Sequence, residues 1–514
     1  MQVFSWLITG WLIWFFFFKR KTKKVKAVDP KPFVMSETAF TLEIAGEWTL
    51  RKSNRPIVIQ NPFRGILITG SVGSGKSKSI IEPIIDQAIA KGFSGILYDY
   101  ESPVLTNHFY SSFKSHSTKV KDYYVNFHDL TRTNRLNPLN PDLLTSSAFA
   151  REYSHTILGN LSDEFVHKPS FWTRSSESLL AATIWFLKEK FPRQCTIPHV
   201  VSMLLTTDVS LLLKRLSESD EAAGMVTSIQ SGLSSNNQTA GVISTLQNAL
   251  ASLNTPNLFW VLSGSDLTLD LNNPASPKFL CIANTPALAS TYGPLISVIF
   301  SAALKQMNQQ GMMPSAVIID ELPTVYIPNL DRIPGTARKN KIATILCVQD
   351  FSQMEDRYGD KKTEVITSVL VNQLFGKTTN PKTAERISKL YGRIDTEYWT
   401  QSHSTSGSFL KKSNSNSNTQ SIQERPKVKP QEIVNLETGQ FYGSLADSWK
   451  NEFKAYLKET SYDVEPMPSF SNVTQEIVQK NYKGIRSESQ SILDGLLISE
   501  SGEQDKNFTV SFEI

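Results

Sequence analysis

The longest uninterrupted apolar stretch lies at the start of the chain. Residues 1–18 contain no charged side chain, and six lysines and arginines follow within residues 19–26. As a helix, this stretch would span about 27 Å, close to the roughly 30 Å of a bilayer core. Because basic flanks mark the cytoplasmic side, the pattern predicts a single membrane anchor with a cytoplasmic body. A signal peptide would carry its positive charge before the apolar stretch; a buried core helix is the other alternative.

Downstream, short apolar runs alternate with helical periodicity. Residues 65–69 (GILIT) and 95–99 (GILYD) are apolar runs of strand length, and between them isoleucine and alanine recur at helical spacing over residues 80–89. Short alternating segments between residues 33 and 59 favour a few more strands. This alternation predicts a parallel sheet covered by helices, which is an α/β fold.

The pattern becomes purely helical between residues 163 and 262. Leucine, serine and alanine recur there at helical spacing without a strand-like run. We therefore expect an all-alpha insertion in the α/β fold. Apolar runs at residues 278–283, 315–320 and 342–348 then restore the strand pattern.

Two polar segments complete the pattern. Residues 402–425 are rich in serine, asparagine and lysine and have little apolar periodicity, which predicts a flexible loop. Residues 461–514 form a polar, acidic tail that we expect at the periphery.

Composition excludes several classes of protein. Hydrophobic residues make up 40% of the 514 residues, enough for a sizeable core, so the chain is not wholly disordered. Three widely spaced cysteines cannot build a disulfide framework, and the seven histidines include no HExxH pattern. The formal net charge of +5 is concentrated in residues 19–26, so the nearly neutral body is no nucleic-acid binder on charge alone.

A nucleotide-binding motif follows the first predicted strand of the α/β fold. Residues 70–77 (GSVGSGKS) match the pattern G-x-x-x-x-G-K-[ST], in which backbone N–H groups wrap phosphates. Lys76 is expected to reach the β- and γ-phosphates of ATP, and the Ser77 hydroxyl to bind Mg²⁺. A glycine-rich turn without a ligand is the alternative, although the flanking strand and helix favour the motif. The candidate binding residues are Gly70, Ser71, Val72, Gly73, Ser74, Gly75, Lys76 and Ser77.

Candidate catalytic residues lie near two later strands. One apolar run ends in Asp320 and Glu321, a Walker B pattern in which Asp320 would hold Mg²⁺ through water and Glu321 would act as general base. Gln349 ends the next apolar run, where its amide could sense the γ-phosphate or orient water; a surface glutamine is the alternative. Arg338 could stabilise transition-state charge, or lie on a solvated helix face.

Together, the apolar start, the P-loop, the Walker B pattern and the helical insertion resemble the TraG/TraD family of type IV secretion coupling proteins. The resemblance covers about residues 62–456. Many members carry a lysine where this chain has Glu101, and the family often has two transmembrane helices. The segments that carry the resemblance are Gly70–Ser77 with Pro83 and Ile84, Phe171 and Trp172, Val317–Pro323, Ala337–Lys339, Thr344–Gln349, Ala384–Gly392 and Gly439–Ala446.

The resemblance implies a RecA-like P-loop NTPase core with an inserted all-alpha domain, assembled as a homo-hexamer at the inner membrane. Its implied activity is ATP hydrolysis with Mg²⁺, driving conjugative transfer of single-stranded DNA with bound relaxase into a type IV secretion channel. Arg338 is similar to the family's arginine beside the nucleotide, and Gln349 to its strand-end glutamine. We expect Phe171 and Trp172 to fill the core.

The predicted organisation has five parts, and two other functions stay open. One is a membrane-anchored DNA translocase of the cell-division or plasmid-segregation type, which would normally bring a separate winged-helix module. The other is a nucleotide-binding scaffold without turnover, against which the presence of Glu321 and Arg338 argues. The parts are the anchor and basic flank (1–27), the nucleotide-binding domain in two pieces (28–160 and 266–460), the all-alpha insertion (161–265) and the polar tail (461–514).

Overall fold

The computed structural model of the protein has two compact units, Met1–Ser36 and Glu37–Ile514. In the first unit, only residues 34–36 are described, and the predicted anchor, residues 1–27, lies outside the described residues. All helices and strands given below belong to the second unit. The described residues are 34–45, 55–206, 208–231, 236–408, 411–448 and 450–497.

Thirteen described strands form three sheets. A nine-stranded sheet has the order β13-β12-β9-β3-β8-β7-β4-β6-β5, β1 pairs with β2, and β10 pairs with β11. The strands are β1 (Phe40–Leu42), β2 (Ile57–Ile59), β3 (Ile66–Thr69), β4 (Ser94–Asp99), β5 (Lys121–Asn126), β6 (Lys278–Ala283), β7 (Ser315–Ile319), β8 (Ile342–Val348), β9 (Asn372–Phe375), β10 (Arg393–Ser408), β11 (Lys411–Pro426), β12 (Gln440–Ser444) and β13 (Glu452–Tyr456).

The described helices cover both faces of the large sheet and fill the connection between β5 and β6. They are α1 (Glu82–Ala90), α2 (Val104–Ser115), α3 (Ser147–Leu161), α4 (Glu164–His167), α5 (Phe171–Lys190), α6 (Ile197–Leu204), α7 (Val209–Leu216), α8 (Asp220–Ser231), α9 (Asn236–Leu250), α10 (Pro256–Leu262), α11 (Ala289–Met307), α12 (Ile333–Ala337), α13 (Phe351–Tyr358), α14 (Asp360–Val369), α15 (Pro381–Leu390), α16 (Pro430–Val434) and α17 (Gln475–Leu493).

The central strands of the large sheet run parallel and are buried on both faces. Every residue of β3, β4, β6, β7 and β8 is buried. Successive residues of β3 enter opposite cores: Ile66 and Ile68 pack with the first helices, and Leu67 with the inserted helices. Burial on both faces explains why these strands are continuous apolar runs. The predicted α/β fold is confirmed.

Helix α11 is the main core helix on the insertion side. Among the described residues, Pro286–Met307 is the one helix apolar and long enough to cross a bilayer, and 72% of its most apolar window is buried inside the protein. Its residues Leu295, Ile299 and Phe300 are fully buried against the sheet and α3. The helix is therefore apolar because it packs on all sides.

The predicted all-alpha insertion is present between β5 and β6. Its described part, α3 to α10, contains no strand. Helix α5 is central and packs against α3, α8 and α9. Its buried leucines and isoleucine, Leu179, Leu180, Ile184 and Leu187, are those whose helical spacing indicated a helix.

The tail packs more closely than its composition predicts. Helix α17 lies against α6 and α10 of the insertion. Val478, Ile485 and Ile492 are buried, and they recur every seven residues on one face of an otherwise polar helix. Tyr482 Oη donates a hydrogen bond to Asn254 Oδ1 at 3.0 Å. Much of α17 is exposed, as in a peripheral tail, but a stripe of buried apolar residues docks the helix on the insertion.

The prediction of a loop at residues 402–425 is wrong for the described residues there. The backbone forms a long antiparallel hairpin of β10 and β11, paired from Arg393 with Pro426 to Ser408 with Lys411. The two strands form a sheet of their own. Backbone hydrogen bonds define such a ribbon, so it needs no apolar alternation along the chain.

Phe171 and Trp172 do not fill the core as expected. Their exposed fractions are 50% and 39%. The Ser170 hydroxyl accepts a hydrogen bond from the Thr173 backbone N–H at 3.3 Å and caps α5 at this point. The two aromatic residues therefore occupy the first turn of the helix, at the surface of the insertion.

Candidate functional site

The P-loop lies at the carboxyl end of β3. The Gly70 backbone N–H donates to the carbonyl of Val348 at 3.2 Å, which fixes the loop against β8. Gly73 and Gly75 have φ of +75° and +92°, values that favour glycine. A Cβ at Gly75 would lie 3.0 Å from the backbone nitrogen of Gly439, so this position also needs the absence of a side chain. Lys76 Nζ donates to the Gly70 carbonyl across the loop.

Two distant segments hold the P-loop from outside. The Ser71 N–H donates to the carbonyl of Lys377 at 2.7 Å, just after β9. The Thr438 hydroxyl donates to the Gly73 carbonyl at 2.8 Å, and the Gly439 N–H to the Ser74 carbonyl at 3.0 Å. These contacts order the loop, and of its own N–H groups they use only that of Ser71. Sequence reasoning missed them because no local pattern marks which later segment folds against the loop.

The two Walker B acids lie at the same edge of the sheet as the P-loop. Strand β8 pairs in parallel with both β3 and β7, so the carboxyl ends of the three strands meet. Glu321 is 6% exposed, and its Oε1 accepts a hydrogen bond from the Gln349 N–H at 3.4 Å. The structure thus brings Asp320, Glu321 and Gln349 together beside Lys76, whose charge acts on both carboxylates.

Burial determines the electrostatics of these acids. Desolvation, followed by the negative charge of Asp99, raises the pKa of Asp320 to about 7. Desolvation also raises the pKa of Glu321, against the opposing effect of Lys76. A buried carboxylate with a raised pKa gains from a nearby cation. The group of acids is therefore suited to a divalent ion and to proton transfer.

Asp99 is a buried acid that sequence reasoning did not assign to the site. It ends β4, next to β7, and the Asp320 N–H donates to the carbonyl of the preceding Tyr98 at 3.3 Å. Asp99 Oδ2 accepts from the Thr106 N–H and hydroxyl at 2.8 and 2.7 Å. Its buried Oδ1 has no hydrogen-bond partner among the described residues, and burial raises the pKa of Asp99 to about 6. The sequence contains a signal for Asp99, because its apolar run, like the one before Asp320, ends in an acid.

A polar cavity of about 290 Å³ opens beside Glu321. Such a volume admits several water molecules, and it reaches Gln349 and the helix α13 that follows it. The cavity therefore offers a route by which water can approach the candidate base. It is lined by Tyr100, Glu321, Pro323, Thr324, Gln349, Gln353, Asp356 and Arg357.

Arg338 is not brought to this site within its own chain. It caps the carboxyl end of α12 and is exposed, just before β8 begins. Since β8 has seven residues, its length puts about 20 Å between Arg338 and the edge that carries Gln349. Arg338 therefore lies toward the amino ends of the parallel strands, whereas the P-loop lies at their carboxyl ends. This distance excludes a role for Arg338 at the P-loop of its own chain.

The residues present fit a magnesium nucleotide. Within the described ranges, no cluster of three or more His, Cys, Asp or Glu side chains is arranged to hold a metal alone. A P-loop site needs no such cluster, because a hydroxyl, one carboxylate, water and the phosphates share the ion. Ser77 and Asp320 would supply the protein's share.

A family model and a curated relative match most of this chain. The family model described as the type IV secretion-system coupling protein DNA-binding domain matches residues 52–451. Coupling protein TraD of Escherichia coli K12 is 21% identical over 345 residues, which are 65% of this chain and 45% of TraD. The chain therefore spans about half the length of this curated relative.

Solved structures show a related fold. The unbound conjugative coupling protein TrwBΔN70 matches with a TM-score of 0.60 and 18% identity, covering 84% of this chain and 96% of that one. Plasmid coupling protein TrwB in complex with ADP and Mg²⁺ matches with a TM-score of 0.59 and 18% identity, over 84% and 95% of the two chains.

Proposed function

The chain belongs to the family of type IV secretion-system coupling proteins, and from this we propose that it is a membrane-anchored ATPase that drives conjugative DNA transfer. The observation that carries the proposal is the meeting of the P-loop, Asp320, Glu321 and Gln349 at one edge of the sheet. The match to coupling proteins favours this function over a cell-division translocase.

The proposed reaction uses five side chains in four roles. Lys76 binds the β- and γ-phosphates of ATP, while Ser77 and Asp320 hold the magnesium ion. Bound Mg²⁺ supplies positive charge at the phosphates. Glu321 accepts a proton from a water molecule whose oxygen attacks the γ-phosphorus, so that ADP and phosphate leave. Gln349, fixed by its backbone bond to Glu321, orients that water.

The proposed partners follow from the family. Single-stranded DNA with bound relaxase is the substrate, components of the type IV secretion channel receive it, and residues 1–27 anchor the protein in the inner membrane. We propose a homo-hexamer, because the position of Arg338 requires a neighbouring chain if this side chain is to reach a nucleotide. Turnover at Glu321 distinguishes this proposal from a scaffold that only binds nucleotide.

Plasmid transfer tests the proposal directly. A donor that lacks this protein should fail to transfer a mobilisable plasmid, and the full-length chain should restore transfer. A chain lacking residues 1–26 should keep ATPase activity but fail to restore transfer, because the pump must sit at the membrane channel. Normal transfer by the donor without the protein would contradict the proposal.

A further inference from the structure

Phe171 and Trp172 form an exposed aromatic corner on the insertion. Their ring centroids lie 5.5 Å apart at an interplanar angle of 78°, an edge-to-face contact. Among the large apolar side chains that are exposed in the described part of the chain, they are the one adjacent aromatic pair. Aromatic side chains contribute most when they are buried, so exposing two of them together needs a reason other than folding.

The position of the corner is set by a helix glycine beneath it. A Cβ at Gly241 of α9 would lie 2.7 Å from Cζ3 of Trp172, so the indole ring can lie here only because residue 241 has no side chain. The Ser176 hydroxyl donates to the Val242 carbonyl at 3.2 Å and joins the two helices at the same level. Glycine inside a helix costs about 1 kcal/mol relative to alanine. The corner is therefore held against α9 at a cost in helix stability.

Two cations flank the aromatic corner. Lys168 precedes α5, and Arg174 lies one turn after Phe171 on the same side of the helix; both are exposed. Neither side chain forms an ion pair with another residue that the structure describes. The nearby Asp163 forms an ion pair with Arg357 at 3.0 Å, and both Asp163 and Glu164 are exposed. The charged side chains around the corner together carry only a small positive charge. The exposed aromatic faces are therefore its main feature for binding.

We propose that Phe171 and Trp172 stack on bases of single-stranded DNA, with Lys168 and Arg174 contacting its phosphates. Single strands expose the faces of their bases, and stacking on aromatic side chains holds them without sequence preference. The inference rests on the proposed function, because it needs DNA as the substrate. Asp163 connects the surface to the nucleotide site, since its partner Arg357 lies on α13 directly after Gln349.

Binding of a fluorescent oligothymidylate of about 20 nucleotides to the full-length protein in detergent tests the inference. Phe171→Ala and Trp172→Ala should each weaken binding roughly 5- to 100-fold, the range expected for losing one stacked base. Trp172→Phe should retain most affinity. Gly241→Ala should also weaken binding, because the new methyl group displaces the indole. Lys168→Ala and Arg174→Ala should each reduce the slope of log affinity against log salt by about 1.

Matched controls separate this surface from general effects. Leu390→Ala removes an equally exposed apolar side chain on α15, and Lys361→Ala an exposed cation on α14; both should bind DNA like the wild type. Basal ATPase activity without DNA should be unchanged in every variant. Wild-type protein that binds no single-stranded DNA would contradict the proposed function itself. If the aromatic variants bind DNA as tightly as the wild type, only this inference is overturned. If they bind DNA normally but fail in plasmid transfer, the surface contacts a protein partner instead.

Discussion

Lys76 is the cation whose charge acts on both buried Walker B acids of the candidate site. Asp320 and Glu321 lie within its electrostatic reach, and Asp99 adds a third carboxyl group on the neighbouring strand. In a low-dielectric site such charges interact strongly. We therefore expect single substitutions among these residues to separate nucleotide binding, turnover and stability.

Lys76→Ala and Glu321→Gln should fail in different ways. Losing the ammonium group removes a contact to the phosphates, so Lys76→Ala should lose both nucleotide affinity and hydrolysis. Glu321→Gln keeps the shape but removes the base, so it should bind ATP and lose turnover by roughly 10²- to 10⁴-fold. Equilibrium binding of a fluorescent ATP analogue and steady-state phosphate release measure the two effects. Wild-type turnover by Glu321→Gln would show that the base is elsewhere.

Asp320→Asn should stabilise the nucleotide-free protein at high pH. The pKa of Asp320 is raised to about 7 in the folded state, above its unfolded value, so the folded state retains a proton that the unfolded state releases. Stability contributed by this proton is present below pH 4 and is lost as pH rises toward 7. The variant should therefore gain roughly 1 to 3 kcal/mol at pH 8 and almost nothing at pH 4.

Thermal unfolding without nucleotide or Mg²⁺, repeated between pH 4 and pH 8, measures this difference. Glu364→Gln on α14 is the matched control, because its carboxylate is exposed and should show no such trend. A gain from Asp320→Asn that is equal at every pH would contradict the electrostatic explanation.

At the scale of elements, Asn160 joins the insertion to the nucleotide-binding core. It lies in the last turn of α3. Its Oδ1 accepts hydrogen bonds from the Tyr326 N–H at 2.8 Å, from Ser297 of α11 at 3.0 Å and from Arg357 of α13 at 3.0 Å. Its Nδ2 donates to the Tyr326 carbonyl at 2.8 Å. One buried amide therefore connects three helices with the segment that follows the Walker B acids.

Asn160→Ala should destabilise the protein by roughly 3 to 5 kcal/mol, because it leaves the buried backbone groups of Tyr326 and part of Arg357 without partners. Asn340→Ala, which breaks one bond of a half-buried asparagine to Asn308, is the control and should cost about 1 kcal/mol or less. Chemical denaturation of both variants compares the two losses. Equal losses in the free energy of unfolding would show that the hydrogen bonds of Asn160 stabilise the protein no more than those of Asn340.

In the whole molecule, Arg338 and the P-loop lie at opposite ends of the parallel strands of one sheet. Each chain therefore has a nucleotide site that its own Arg338 does not reach. The geometry suits an assembly in which α12 of one chain faces the P-loop of the next. An arginine supplied in this way is worth about 10³ to 10⁵ in rate in well-studied nucleotide hydrolases.

Arg338→Ala should be nearly inactive, yet mixing it with Lys76→Ala protein should restore part of the turnover, because each mixed interface pairs an intact P-loop with an intact arginine. Lys339→Ala, at the next exposed position, is the control and should keep wild-type activity. Phosphate release measured across mixing ratios checks the prediction. Absence of rescue at every ratio would argue against action between chains.

The sequence alone predicts the α/β class, the helical insertion, the P-loop motif and the Walker B pattern. It could do so because each of these depends on residues that are neighbours in the chain: a glycine spacing, an apolar run, a helical period. The same reasoning placed Gln349 at a strand end, and the structure shows it beside Glu321.

Which of these segments meet depends on the tertiary fold. Strand order places Asp99 beside the Walker B strand, and no local pattern encodes strand order. Arg338 lies before β8 begins, at the end of that strand opposite to Gln349. The contacts of Lys377 and Thr438 with the P-loop join residues far apart in the chain. Exposure of Phe171 and docking of α17 likewise depend on what packs nearby, because apolar side chains become core only where another element covers them.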